Sequence, residues 1–178
     1  ILEDDPYFEL RYSGETLPTI YSMASENVVY TGSLSKILSP GMRLGYYFGP
    51  EEVTKQMVSL KQGIDVHTTN LGQAIAAAYI DNGHLDAHLP KILATYKPKL
   101  NSMLAALKDN LPEGFKYSKP EGGMFIWLEG PADFDSTDLY QEAIEHKIAY
   151  VPGQFFFLDE ENHKNTIRLN FTNISEDK

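Results

Sequence analysis

Lys36 stands in a turn rich in small hydroxyl residues and glycines, and Arg43 follows it seven positions later. The stretch reads Thr31-Gly32-Ser33-Leu34-Ser35-Lys36-Ile37-Leu38-Ser39-Pro40-Gly41-Met42-Arg43-Leu44-Gly45-Tyr46. Hydroxyls and the unpaired N–H groups of such a turn suit an anion, and a guanidinium offers a planar fork to phosphate oxygens. A lysine beside a phosphate anchor can bond covalently to a carbonyl carried by the same phosphorylated molecule. Taken alone, Lys36 would read as one more solvated surface charge. The ordered set of neighbours is what gives it a chemical role.

Two further groups can take part. Ile1-Leu2-Glu3-Asp4-Asp5-Pro6-Tyr7 begins apolar and turns acidic at the expected C-terminal end of a strand, the end where open α/β sheets bind ligands. A buried carboxylate opposite a pyridine nitrogen would keep a pyridine ring protonated. Among these acids Glu3 and Asp5 read as solvated or capping groups. Ile167-Arg168-Leu169-Asn170-Phe171 places an arginine inside an apolar strand, where an unpaired cation is costly. Arg168 must therefore face a pocket or meet a carboxylate in a structural ion pair. Gly122-Gly123-Met124-Phe125 and Val151-Pro152-Gly153-Gln154-Phe155 are turn-to-strand sequences whose aromatics line either a pocket or the core. His84 and His88 are four apart but have no convincing third ligand, so they make a poor metal site.

The ordered run Ser-x-Ser-Lys and then Pro-Gly-Met-Arg-Leu-Gly resembles the lysine segment of the class I/II aminotransferases of pyridoxal-phosphate fold type I. It looks most like the branch that includes 2-aminoadipate and kynurenine aminotransferases. Asp4 to Tyr7 is similar to that family's Asp-x-x-Tyr signature, and it precedes Lys36 by about thirty residues, as the family leads one to expect. The resemblance implies an α/β fold, the C-terminal portion of a PLP-dependent transferase. It divides the chain into part of the large cofactor-binding domain at 1–90, a connecting helix at 91–110 and a small α+β domain at 111–178.

The same resemblance assigns roles. Lys36 would hold pyridoxal 5'-phosphate covalently and move the substrate proton. Asp4 would face the pyridine nitrogen and Tyr7 the ring hydroxyl, while Ser33, Ser35 and Arg43 would hold the phosphate. Arg168 would take the substrate α-carboxylate, with Phe125 walling the side-chain pocket. The implied reaction is ping-pong amino transfer between an amino acid and a 2-oxo acid such as 2-oxoglutarate, in a homodimer. Ile1 starts in mid-strand, so the chain is expected to be the C-terminal part of a longer enzyme and to be inactive alone. A second reading is the aminotransferase-like effector domain of a GntR-type transcriptional regulator. A winged helix-turn-helix upstream would mark it, and these residues contain none.

Composition narrows the remaining classes. A net charge of −10 argues against a surface that tracks nucleic-acid phosphates. No apolar run is long enough to span a membrane; Ala74 to Ile80 is the longest candidate. With no cysteine there is no disulfide and no thiolate metal site. No secretory signal is legible, so the cytoplasm is the expected compartment and the sequons at Asn170 and Asn173 read as chance.

The elements that must position these residues follow from pattern. Asn27 to Tyr30 and Leu44 to Phe48 are β-branched and aromatic, and read as the strands flanking the lysine turn. Glu51 to Gly63 reads as a helix with acids at its start and a terminal glycine. Asn70 and Gln73 fit a capping box for a helix that stops at Asn82-Gly83. Leu85, Leu89, Ile92, Leu93, Tyr96, Leu100, Met103, Leu104 and Leu107 repeat at helical spacing on one face, across a bend expected at Pro98. Phe115–Ser118, Met124–Leu128, Ala149–Val151 and Thr166–Phe171 read as short strands, with one helix over Thr137–His146. Asp159 to Asn165 reads as a solvated loop.

Overall fold

The computed structural model describes residues 1–173, with the side chain of Glu161 left aside. Asn173-Ile174-Ser175 therefore extends outside the described residues. The chain divides into two compact units, Ile1–Leu93 and Ala94–Lys178.

In the first unit β1 (Leu2–Asp4), β2 (Val29–Ser33) and β3 (Gly45–Phe48) form a sheet in that order. β1 and β2 run parallel with Asp4 opposite Thr31, and β3 returns antiparallel with Gly45 opposite Ser33. The connection from β1 to β2 contains a four-residue helix, α1 (Ile20–Met23). Its first N–H groups, on Ile20 and Tyr21, donate to the two oxygens of Glu3 at 2.9 and 2.8 Å. Glu3 is thus a cap, the role its sequence position predicts. Val28, Leu10, Ile37 and Leu44 are buried beside this sheet.

Three helices follow: α2 (Glu51–Ile64), α3 (Asn70–Asp81) and α4 (His84–Asn110). α2 carries Glu51 and Glu52 in its first turn and Lys61 in its last, matching the helix dipole. The capping box expected at Asn70 is not formed. The N-cap residue of α3 is Thr69, with no side-chain cap bond, and the Gln73 amide donates instead to the Thr68 carbonyl at 2.9 Å. The helix starts one residue earlier than the box requires, so Gln73 sits one position past N3. Gly83, at φ +73°, ends α3 where the sequence places a stop, since a left-handed residue there costs glycine nothing. α4 runs unbroken through Pro90 and Pro98, and every member of its apolar stripe is at least partly buried.

The second unit holds β4 (Lys116–Tyr117), β5 (Phe125–Glu129), α5 (Asp138–Glu145), β6 (Val151–Pro152) and β7 (Thr166–Asn170). The sheet order is β4-β5-β7-β6 and every pairing is antiparallel. Alternation assigns the faces. Ile126, Leu128 and Ile167 are buried, and Leu128 and Ile167 pack with Ala143 and Tyr150 against Leu107, Leu111 and Phe134. Full burial of a leucine or isoleucine such as Leu128 or Ile167 contributes about 1.5–3 kcal/mol of hydrophobic stabilisation. Phe125, Trp127 and Arg168 take the other face. The loop expected at 159–165 contains a single 3-10 turn, Glu160–His163.

Candidate functional site

Lys36 is held by what flanks it. Residues 34–38 form one helical turn, closed by Leu38 N–H to the Leu34 carbonyl at 2.8 Å and Ser39 N–H to the same oxygen at 3.1 Å. Leu34 and Ile37, three apart and so on one side of the turn, are buried, while Lys36 is exposed. The loop is tied at its base by Leu34 N–H to the Leu44 carbonyl at 3.1 Å. An exposed amine on an anchored turn has a defined position and open access.

The hydroxyl and guanidinium groups stand on the same loop. Ser33 ends β2, and its Oγ accepts the Ser35 N–H at 3.1 Å, which shapes the entry to the turn. Arg43 occupies the left-handed region at φ 53°, ψ 44°, a conformation that costs a non-glycine residue about 1–2 kcal/mol. Its Nη1 donates to the Pro40 carbonyl at 3.4 Å, and the side chain is exposed. Arg43 is the C-cap of the short 3-10 turn Pro40–Met42, and its N–H closes that turn on the Pro40 carbonyl at 3.4 Å.

Because β1 and β2 are parallel, their C-terminal ends lie together. Asp4 is therefore at the same end of the sheet as Ser33; it is exposed rather than buried, because it closes the strand at the sheet's open end, and its Oδ1 accepts from the Thr31 hydroxyl at 2.8 Å. Tyr7 follows in the turn after β1 and is half-buried. Thr31 was not among the sequence candidates. Its signal is the two-residue alternation with Ser33, which puts both hydroxyls on one face of β2, but the partner acid is visible only once the register is known.

Behind this end lies an unexpected group of titratable side chains. A cavity of about 360 Å³ is lined by Glu9, Tyr21, Tyr30, Tyr46 and Phe48 among others. Burial, then the charge of Asp5, pushes the Tyr30 hydroxyl up. Burial, then Glu9 and Asp5, does the same to Tyr46, opposed by its hydrogen bond with Tyr30. The Glu9 carboxyl is raised by burial, with Asp5 adding to it, and the Asp5 carboxyl by burial and then Glu3. Gly32 makes room for Tyr46, whose Oη would stand 2.5 Å from any Cβ at that position.

On the second unit Arg168 is half-buried and forms no ion pair among the described residues. Its guanidinium lies against Phe125, with Cζ 4.1 Å from the ring centre. Its Nε is buried and without a hydrogen-bond partner among the described residues. The alternative of a structural ion pair is therefore not what this strand contains. Phe125 contacts the arginine itself. Asn170 accepts from both the N–H and the hydroxyl of Thr172 at 2.9 Å, so the first sequon is a capped turn. His84 packs against the Tyr79 ring, centroids 5.4 Å apart, and no group of three metal-ligating side chains exists among the described residues. Among the same residues no helix is long and apolar enough to cross a membrane.

Comparison with known proteins gives a consistent result. Residues 4–178 match the family described as aminotransferase class I and II. The aromatic-amino-acid aminotransferase 1 of Thermococcus litoralis is 44% identical over 100% of this chain and 43% of its own length. The crystal structure of the α-aminoadipate aminotransferase LysN from Thermus thermophilus, complexed with N-(5'-phosphopyridoxyl)-L-leucine, superposes with a TM-score of 0.91 at 34% identity. That match covers 99% of this chain and 46% of LysN. The HTH-type transcriptional regulator YdfD of Bacillus subtilis is 33% identical over 98% of this chain and 36% of its own length. The chain thus spans less than half the length of each of these proteins.

Proposed function

Since this chain belongs to the class I and II aminotransferases, we propose that it supplies the lysine-bearing part of a PLP-dependent aminotransferase, a cytoplasmic homodimer acting on an amino acid and a 2-oxo acid. The observation that carries the reading is Lys36: an exposed amine on a turn anchored by two buried side chains, with hydroxyls on the same loop and Asp4 at the same strand end. This donor set fits a phosphorylated pyridine aldehyde: an amine, two serine hydroxyls, a guanidinium and a carboxylate. When bound, pyridoxal phosphate supplies an electrophilic carbonyl and a protonated ring that draws electron density from the α-carbon of an amino acid.

This chain's residues do the rest. Ser33, Ser35 and Arg43 would hold the phosphate through their hydroxyl and guanidinium donors. The Asp4 carboxylate, which accepts from the Thr31 hydroxyl, would hold a proton on the ring nitrogen, and the Tyr7 hydroxyl would serve the ring oxygen. Lys36 would hold the carbonyl carbon through its ε-nitrogen, and its free amine would move the proton at the substrate Cα as general base and then acid. Arg168 would bind the α-carboxylate through its planar N–H edge. The exposed stripe Val53, Met57, Leu60 and Ile64 along α2 supports a second copy as the protein partner of that helix.

The test uses the full-length protein. Pyridoxal phosphate is added, the adduct is reduced with borohydride, and the labelled peptide is identified by mass spectrometry, alongside an assay of amino transfer to 2-oxoglutarate. A label on Lys36 and measurable transfer are expected. A label on any other lysine overturns the assignment, and a label without transfer favours the regulator reading.

A further inference from the structure

The guanidinium of Arg168 touches a second ring. Its Cζ lies 4.4 Å from the centre of Phe156, as well as 4.1 Å from Phe125. The two rings reach it from opposite neighbours of β7. Phe125 stands on β5, two residues from Trp127, which is directly opposite Arg168. Phe156 closes the 3-10 turn Gly153–Phe156 that leaves β6, where Val151 is opposite Arg168 on the other side.

The placement of Phe156 has a built cause. A Cβ on Gly153 would collide with the Thr166 side chain and come within 2.8 Å of Trp127 Cη2. Only a residue without a side chain lets the turn lie this close to the sheet. The edge of Trp127 then braces the Phe156 ring, centroids 5.8 Å apart at 75°. The other aromatics of the run do different things. Phe155 is 58% exposed, Phe156 itself remains 48% exposed, and Phe157 stacks on the His163 ring at 3.6 Å.

A guanidinium pressed by rings on two sides keeps its plane but leaves its N–H edge available. The Nε of Arg168 is buried and unpartnered among the described residues, which leaves the Nη edge as the one an acceptor can reach. Leaving a buried charged donor unpaired is costly unless an acceptor arrives. We infer that Phe156 is a positioning residue: together with Phe125 it sets the plane of the Arg168 guanidinium for a two-oxygen acceptor, the α-carboxylate shared by amino acid and 2-oxo acid. This rests on the reading of Arg168 as the carboxylate-binding group.

Phe156→Leu, Phe156→Tyr and Arg168→Gln are compared in the full-length protein by steady-state kinetics with both substrates. Phe156→Leu keeps apolar volume but removes the π face, and KM for both substrates should rise about tenfold with kcat within about twofold of the parent. Phe156→Tyr retains the face and should restore the parental KM, whether or not the leucine variant folds. Arg168→Gln should raise KM further. If Arg168→Gln leaves both KM values unchanged, the carboxylate reading itself fails. If Arg168→Gln raises them while Phe156→Leu does not, or if Phe156→Tyr departs from the parental KM, the positioning role alone is overturned.

Discussion

Across the parallel pair β1–β2, the Thr31 hydroxyl donates to Asp4 Oδ1 at 2.8 Å, and the two residues are in register. The acid on one strand is thereby oriented by the strand that leads into the lysine turn. Thr31→Val keeps the β-branched shape and removes this donor. An exposed hydrogen bond of this kind is worth about 0.5–1.5 kcal/mol, so the affinity of the full-length protein for pyridoxal phosphate should fall about two- to tenfold in an absorbance titration. An unchanged affinity would mean that Asp4 is oriented without Thr31.

Gly32 sits between Thr31 and Ser33 with the Tyr46 ring lying where its Cβ would be. Gly32→Ala should destabilise the protein by about 1–3 kcal/mol in urea unfolding, the usual cost of overpacking. The cost should shrink in a Tyr46→Ala background, because the collision partner is gone. Additive effects in that double-mutant cycle would contradict the close approach.

Burial, with the Asp5 charge adding, raises the Glu9 carboxyl above the ordinary value of about 4.3, against an opposing backbone hydrogen bond. The folded state therefore binds the proton more tightly than the unfolded chain. The associated stability is complete below the ordinary value and is lost as pH rises through the folded one. Asp5 acts in the same direction, and the raised Tyr30 and Tyr46 hydroxyls stay neutral across this window. Glu9→Gln stays neutral throughout, so its Tm should exceed the parent's near pH 7 and converge with it below about pH 4. A gap of constant size across that range would rule out Glu9 as the cause.

On α2, Met57 and Leu60 belong to an exposed apolar stripe that a second copy is proposed to cover. Leu60→Glu places a carboxylate in that contact, where its desolvation is unfavourable. Sedimentation velocity of the full-length protein should show the dimer shifting towards monomer, with the melting behaviour of the monomeric fold retained. A dimer of undiminished affinity would place the interface elsewhere.

The sequence by itself determined the parts of this protein that depend on neighbours along the chain. The stripe of α4, the stop at Gly83, the strands on either side of Lys36 and the alternation of β5 and β7 all follow from periodicity and turn chemistry within short windows. Burial of Leu34 and Ile37 with Lys36 outside is of the same kind, since three-residue spacing on one turn separates inside from outside. The capping box failed for a local reason too: a shift of one residue in a helix start moves Gln73 out of reach. Tertiary structure alone decided which strands pair, and with them every cross-strand partner. Thr31 meets Asp4, Tyr46 covers Gly32, and Phe156 reaches Arg168 only through registers set by the whole sheet and by the missing side chain of Gly153. Propensity acts over a few residues, whereas a contact between residues 27 apart is selected by the packing of everything between them.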